Sequence, residues 1–216
     1  MLMTGAVLLA TAFGVLAAVV VARRGSPFDA DVAVHHWFIG RRTGSLTAAA
    51  VVLTSTGTGV IAYGLAVAAG ALGAGRRRWW PGALVGALAL GGGEALRFGI
   101  SLAIGRARPP RADWAHAAAG YAFPSGHTTS SAIVAALCCV ALGRRAMAWH
   151  WVVLGRLLAV AWAASVGVTR VYLGVHWPTD VLGGWLLALA PALGLACSGA
   201  VLARVRPHLP AGRRTT

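Results

Sequence analysis

Lysine is absent from this 216-residue chain, and its carboxylates number only five: Asp29, Asp31, Glu94, Asp113 and Asp180. So few acids leave no cluster able to hold magnesium or calcium, so any polar chemistry has to rely on cationic side chains. Charged residues make up 11% of the chain, where a soluble domain carries roughly a quarter. That deficit excludes an ordinary water-soluble globule. Cysteine is scarce too. Cys138, Cys139 and Cys197 lie within apolar runs without metal-ligand spacing, which excludes a disulfide framework and marks them as small core residues. All 19 basic residues are arginine, but no basic stripe interleaved with aromatics suggests nucleic acid. Eleven of them stand in four pairs and a triplet, and seven of these, Arg23, Arg24, Arg76 to Arg78, Arg144 and Arg145, lie directly beside apolar runs, as expected of anchors at a charged membrane face.

What fills the chain is hydrocarbon: 58% of residues are hydrophobic and the mean hydropathy is +0.72. Six apolar runs, 2–22, 46–72, 81–104, 128–142, 149–168 and 181–202, are each long enough or nearly so to cross a bilayer. They predict an all-α, polytopic membrane protein, a six-transmembrane-helix bundle in one domain, 1–216, ending in a basic tail, 203–216. The first run lacks a basic leader and a clear cleavage site, so it reads as a retained span. The polar interval that follows predicts a short interfacial helix with Val34, Trp37 and Phe38 facing lipid. His35 and His36 are adjacent and would point to different faces of that helix, which argues against a metal site. Gly57-Thr58-Gly59 predicts close helix packing rather than a phosphate loop. Arg76-Arg77-Arg78 and Trp79-Trp80 form a charged and aromatic collar of the cytoplasmic kind. Glu94 and Arg97, at membrane depth and three apart, are expected to pair with each other.

Three stretches interrupt this pattern with chemistry. Arg106, Arg108 and Arg111 lie in an Arg-, Pro- and Ala-rich loop after the third run. Pro124-Ser125-Gly126-His127 opens the fourth run, where free amides at a helix start make an anion site. Arg170, His176 and Asp180 lie between the fifth and sixth runs, and Pro178 in the first turn of a helix would put His176 and Asp180 on one face. Taken alone, the last stretch could be a capped helix start with a satisfied histidine. With six spans, however, the loops after the third and fifth face the same compartment, so all three stretches share a side. Two arginines and a helix N-terminus there suit a tetrahedral anion. A histidine backed by a carboxylate can attack phosphorus, and a second histidine can protonate the leaving oxygen. The distribution of arginines favours cytoplasmic termini, which places this side outside a plasma (inner) membrane.

Arg108-Pro109, Pro124-Ser125-Gly126-His127 and Arg170-x5-His176-x3-Asp180 together resemble the three-part signature of the type 2 phosphatidic acid phosphatase and haloperoxidase superfamily. Motif order, gaps and apolar spans are similar to its membrane-bound lipid phosphatases, from about the third span to the sixth. The resemblance implies a hydrolase of phosphoric esters or diphosphates that uses no metal or cofactor and works through a phosphohistidine. His176 would attack, Asp180 would orient it, and His127 would protonate the leaving group and later activate water. Arg108, Arg170, Ser125 and the Gly126 amide would hold the phosphoryl oxygens. The implied partner is a membrane lipid phosphate held in the bilayer: polyprenyl diphosphate, phosphatidic acid, phosphatidylglycerol phosphate or diacylglycerol diphosphate. Soluble haloperoxidases fit this apolar chain poorly. The chain departs from the pattern where the family places a Lys, which is Ser101 here, and Thr169 stands where Ser is more usual. Arg97 or Arg106 would then supply the missing cation, Arg106 being favoured for its depth. A silent lipid-phosphate binder and a transporter are the competing readings.

Overall fold

The computed structural model describes residues 2–205, and the side chains of 3–192. It is all-helical: α1 (Leu2–Ala22), α2 (Asp29–Ile39), α3 (Gly44–Ser55), α4 (Gly59–Ala74), α5 (Trp79–Ile104), α6 (Gly126–Gly143), α7 (Trp149–Tyr172) and α8 (Pro178–Val205). Among the described residues, four helices satisfy the length and hydropathy of a span: α1, α5, α6 and α7. At 28 residues α8 is also long enough to cross. The predicted tail from 206 onward, and the side chain of Cys197, lie outside the described residues.

The second predicted span needs correcting. Residues 46–72 are not one continuous helix: α3 and α4 meet at a 50° bend. The break has a local cause. The Thr56 hydroxyl turns back to the Leu53 carbonyl at 2.7 Å, and Gly59 takes a positive φ of +58°. Close packing at this point is as expected, since a Cβ on Gly57 would strike the Val166 side chain on α7.

Helix pairs α1–α8, α4–α5 and α6–α7 pack side by side. The α4–α5 seam is glycine-lined, because a Cβ on Gly70 or Gly86 would collide with the carbonyls of Gly82 and Ala66 respectively. Apolar side chains elsewhere face outward, among them Leu84, Val85, Leu88, Leu157, Leu158 and Val160. In water such a surface would be costly; in lipid it is the solvent-facing side. Arg76–Arg78, Trp79, Trp80, Arg144 and Arg145 are exposed together at the end of α5 and α6 far from the motifs.

Helix α2 forms in the first loop, as the sequence predicts, with Val34 and Trp37 exposed. Phe38 does not join them: it packs edge-on against Tyr172, its ring centroid 6.0 Å away, in a small core with Leu173 and Val175. Nor do Glu94 and Arg97 form an ion pair. The Glu94 carboxylate instead accepts from Ser130 Oγ at 2.9 Å and Tyr63 Oη at 3.2 Å, across helices.

Gly86→Ala should lower the thermal midpoint in detergent by an amount equivalent to about 1–3 kcal/mol, the usual cost of overpacking. Gly92→Ala, at a position with nothing within 4 Å, should be neutral or slightly stabilising. Equal midpoints for the two variants would contradict the backbone-contact seam.

Candidate active site

The three motif stretches meet at one end of the bundle because backbone contacts join them. Ser125 N–H donates to the Asp180 carbonyl at 3.0 Å, and Ala122 N–H to the Arg106 carbonyl at 2.8 Å. Two adjacent glycines let α8 approach this closely: a Cβ on Gly183 would strike the Phe123 ring, and one on Gly184 the Ser125 carbonyl. Arg42 ties the rim together by donating to the Tyr172 carbonyl at 2.7 Å and the Asp113 carbonyl at 2.6 Å.

Ser125 stands at the N-cap of α6 but its side chain does not cap the helix; its Oγ accepts from Thr128 Oγ1 at 3.0 Å. The first-turn amides of Gly126 and His127 therefore keep no intrahelical partner. His127, half-buried on that turn, feels the charges of Arg170, Arg108 and Arg97. Arg170, in the last turn of α7, is buried and donates to Thr54 Oγ1 at 3.0 Å, while its Nε has no partner. Arg97 lies against the same helix start, since a Cβ on Gly126 would sit 3.4 Å from its Cζ; its buried Nε also has no partner.

Arg108, His176 and Asp180 together define a tautomer. Arg108 donates to the carbonyls of Gly120, Ala119 and Val175 at 2.8–2.9 Å, and its Nη1 lies 2.8 Å from His176 Nε2. A guanidinium only donates, so Nε2 is the lone-pair nitrogen and Nδ1 carries the hydrogen. Nδ1 faces Asp180 Oδ2 at 3.5 Å. The second Asp180 contact on that oxygen is the Trp177 amide at 2.8 Å. The imidazole thus presents its unprotonated nitrogen to a cluster of cations and its N–H to a carboxylate. Burial lowers the His176 pKa well below 6.5, and repulsion from Arg108, Arg170 and His127 adds to it, with the Ala122 backbone opposing. Burial also lowers the Arg108 pKa; Asp180 opposes that shift and Arg97 reinforces it.

Arg106 is placed differently from the other candidates. Its guanidinium is fully buried, with Nη1 2.6 Å from Asp180 Oδ1 and Nη2 2.8 Å from Asp31 Oδ2. It lies behind Asp180, on the far side from His176 Nε2, and both terminal nitrogens are engaged by carboxylates. Of the two candidates for the missing cation, Arg97 is the one that borders the helix start. Sequence reasoning gave no role to Asp31 or Thr54, which hold Arg106 and Arg170; their only signal was an acid and a hydroxyl in segments read as interfacial and apolar. His35, discounted as a ligand, contacts Asp113 Oδ2 at 3.0 Å through Nε2.

A family profile described as the PAP2 superfamily matches residues 80–204. The chain is 35% identical over 119 residues to phosphatidylglycerophosphatase B of Bacillus subtilis, covering 52% of this chain and 55% of that one. It is 40% identical over 67 residues to an undecaprenyl-diphosphatase of Sulfolobus acidocaldarius, covering 31% and 28%. The chain thus spans between about a quarter and just over half the length of these relatives. The solved structure of a transmembrane PAP2 type phosphatidylglycerolphosphate phosphatase from Bacillus subtilis superposes with a TM-score of 0.77 at 26% identity, covering 93% of this chain and 98% of that one.

A lowered pKa keeps a ring neutral as the pH falls. In 15N-histidine-labelled protein, the resonance lost in His176→Ala should therefore show no protonation step between about pH 8 and 6.5, where a free histidine would be half charged. A midpoint at or above 6.5 would contradict the cationic, buried setting.

Proposed function

Since the chain belongs to the PAP2 superfamily, we propose that it hydrolyses a membrane lipid phosphate or diphosphate through a phosphohistidine on His176. The observation that carries this reading is the placement of the His176 ring, with Nε2 2.8 Å from Arg108 Nη1 and Nδ1 3.5 Å from Asp180 Oδ2. A phosphate entering the site takes over the Arg108 contact, and its oxygens are held by Arg108, Arg170, Ser125 and the Gly126 amide. Nε2 attacks phosphorus, the bond from phosphorus to the leaving oxygen breaks, and His127 gives that oxygen a proton. Asp180 stabilises the positive charge that develops on the ring. His127 then takes a proton from water as the water attacks the phosphohistidine. Inorganic phosphate leaves and His176 is restored.

Arg97 supplies the cation that Ser101 lacks. It is one turn earlier on α5, half-buried, and beside the helix start. Arg106 serves the carboxylate side instead. A cavity of about 630 Å³ between α4, α5, α6 and α8 extends from Arg78 and Arg144 at the far end to Thr129, whose hydroxyl bonds the Ser125 carbonyl; its mainly apolar lining, with Leu96, Ile133 and Leu187, suits a lipid chain. An isoprenoid diphosphate and phosphatidylglycerol phosphate are the favoured substrates, in line with what the relatives are named for. Cytoplasmic termini, with the site on the outer face of the plasma membrane, are supported by the exposed arginines at the far end.

Phosphate release in detergent micelles with excess chelator, from polyprenyl diphosphate, phosphatidylglycerol phosphate and phosphatidic acid, tests this. Release should survive the chelator and vanish in His176→Ala. Arg97→Ala should slow it by on the order of 10²–10³, and adding Ser101→Lys should recover much of that loss. Well-folded protein that binds these lipids but releases nothing would make it a silent binder.

A further inference from the structure

Asp31, on α2, lies outside every motif, yet its carboxylate is completely buried. Its Oδ1 accepts from the Thr179 amide at 2.9 Å. Its Oδ2 accepts from the Thr179 hydroxyl and from Arg106 Nη2, both at 2.8 Å, and from the Phe28 amide at 3.1 Å. Arg106 continues the chain through Nη1 to Asp180 Oδ1 at 2.6 Å and to Thr179 Oγ1 at 2.7 Å, and its Nε donates to the Gly25 carbonyl at 3.2 Å. One guanidinium thus spans two carboxylates, only one of which faces the imidazole.

We propose that Asp31 is a positioning residue for phosphoryl transfer, which, by sharing Arg106, sets how much of the Asp180 charge reaches His176. Resting on the reading of His176 as the phosphoryl acceptor, this follows from counting charges on buried side chains, where screening is weak. Asp31, Arg106 and Asp180 together carry one net negative charge behind the ring. Facing the ring from the other side are Arg108, Arg170 and His127, with Arg97 beyond them. Without the Asp31 charge, Arg106 neutralises Asp180 outright and nothing balances the ring as it becomes cationic. The Thr179 amide and hydroxyl also fix the first turn of α8 against Asp31, which aims the Asp180 side chain.

Asp31→Asn removes the charge and, with its NH2 donor, the Oδ2 acceptor, while one oxygen can still serve the Thr179 amide. A purely structural loss would slow release without moving its pH dependence, so opposite shifts in Asp31→Asn and Arg106→Gln separate the two roles. Phosphate release is followed across pH for wild type, Asp31→Asn and Arg106→Gln, each checked for monodisperse elution and thermal midpoint. In Asp31→Asn, kcat should fall by about 10–100-fold, the usual effect of an outer-shell partner, with KM within about twofold because the anion-binding groups are untouched. The acid limb of kcat/KM should move to lower pH, since a less stabilised imidazolium loses its proton more easily. Arg106→Gln leaves two carboxylates behind the ring and should move the limb to higher pH. Limbs that do not move, or that move the same way, overturn the proposal while leaving the phosphatase reading intact. If Asp31→Asn does not yield folded protein, the Arg106→Gln limb alone decides: at higher pH it supports the proposal, unchanged it overturns it. No release from wild type overturns the phosphatase reading and this inference with it.

Discussion

The arrangement depends on one buried guanidinium held between two carboxylates. Burying Arg106 alone would cost several kcal/mol or more, and burying Asp180 alone a comparable amount. Held at 2.6–2.8 Å, with Asp31 completing the set, they can stay in the interior. The first-loop helix, the loop after α5 and the first turn of α8 are then fixed relative to one another, and the imidazole inherits its orientation from them. The remaining acids near the site are similarly engaged: Glu94 by Tyr63 and Ser130, and Asp113 by His35. What is left around the two histidines is cationic: Arg108, Arg170 and Arg97.

The membrane explains the rest of the architecture. Helices surrounded by lipid gain little from burying leucine against leucine, so they associate through small residues and a few polar links. The glycine seam between α4 and α5 and the approach of α8 through Gly183 and Gly184 are of this kind. The links made by Tyr63 and by Arg170 to Thr54 are the polar counterpart. Near the site the helices are tightly packed with hydroxyl-bearing residues, Ser125 and Thr128 to Ser131, all buried. Along the spans the exposed side chains are apolar, Leu84, Leu88, Leu157 and Val160 among them.

Much of this was legible in the sequence because bilayer thickness imposes run lengths and because the motif residues keep fixed local spacings. The helix start at Gly126, the His176–Asp180 face and the convergence of the loops follow from such short-range rules. What was not legible depended on partners distant in the chain. The bend between α3 and α4 arises from a hydroxyl returning to its own helix within an apolar run, which hydropathy cannot register. Phe38 turns inward because Tyr172, 134 positions later, offers it a ring. Depth favoured Arg106 over Arg97, but what distinguishes their placement is Asp31, a residue 75 positions before Arg106. Glu94 and Arg97 had the right spacing for a pair, but neighbouring helices offered Glu94 better donors.

That long-range tie bears on how large the working unit is. The residues that identify the family occupy 80–204, and a fragment cut to those bounds would keep every signature side chain. It would also carry into the interior a guanidinium stripped of one of its two counter-charges, and a helix start missing the acceptor for its Thr179 amide. The buried charge network thus extends beyond the family-matched residues, to Asp31 on α2. Position 106 and the acid in the first loop are therefore physically coupled: loss of either charge leaves the other buried with an incomplete set of partners.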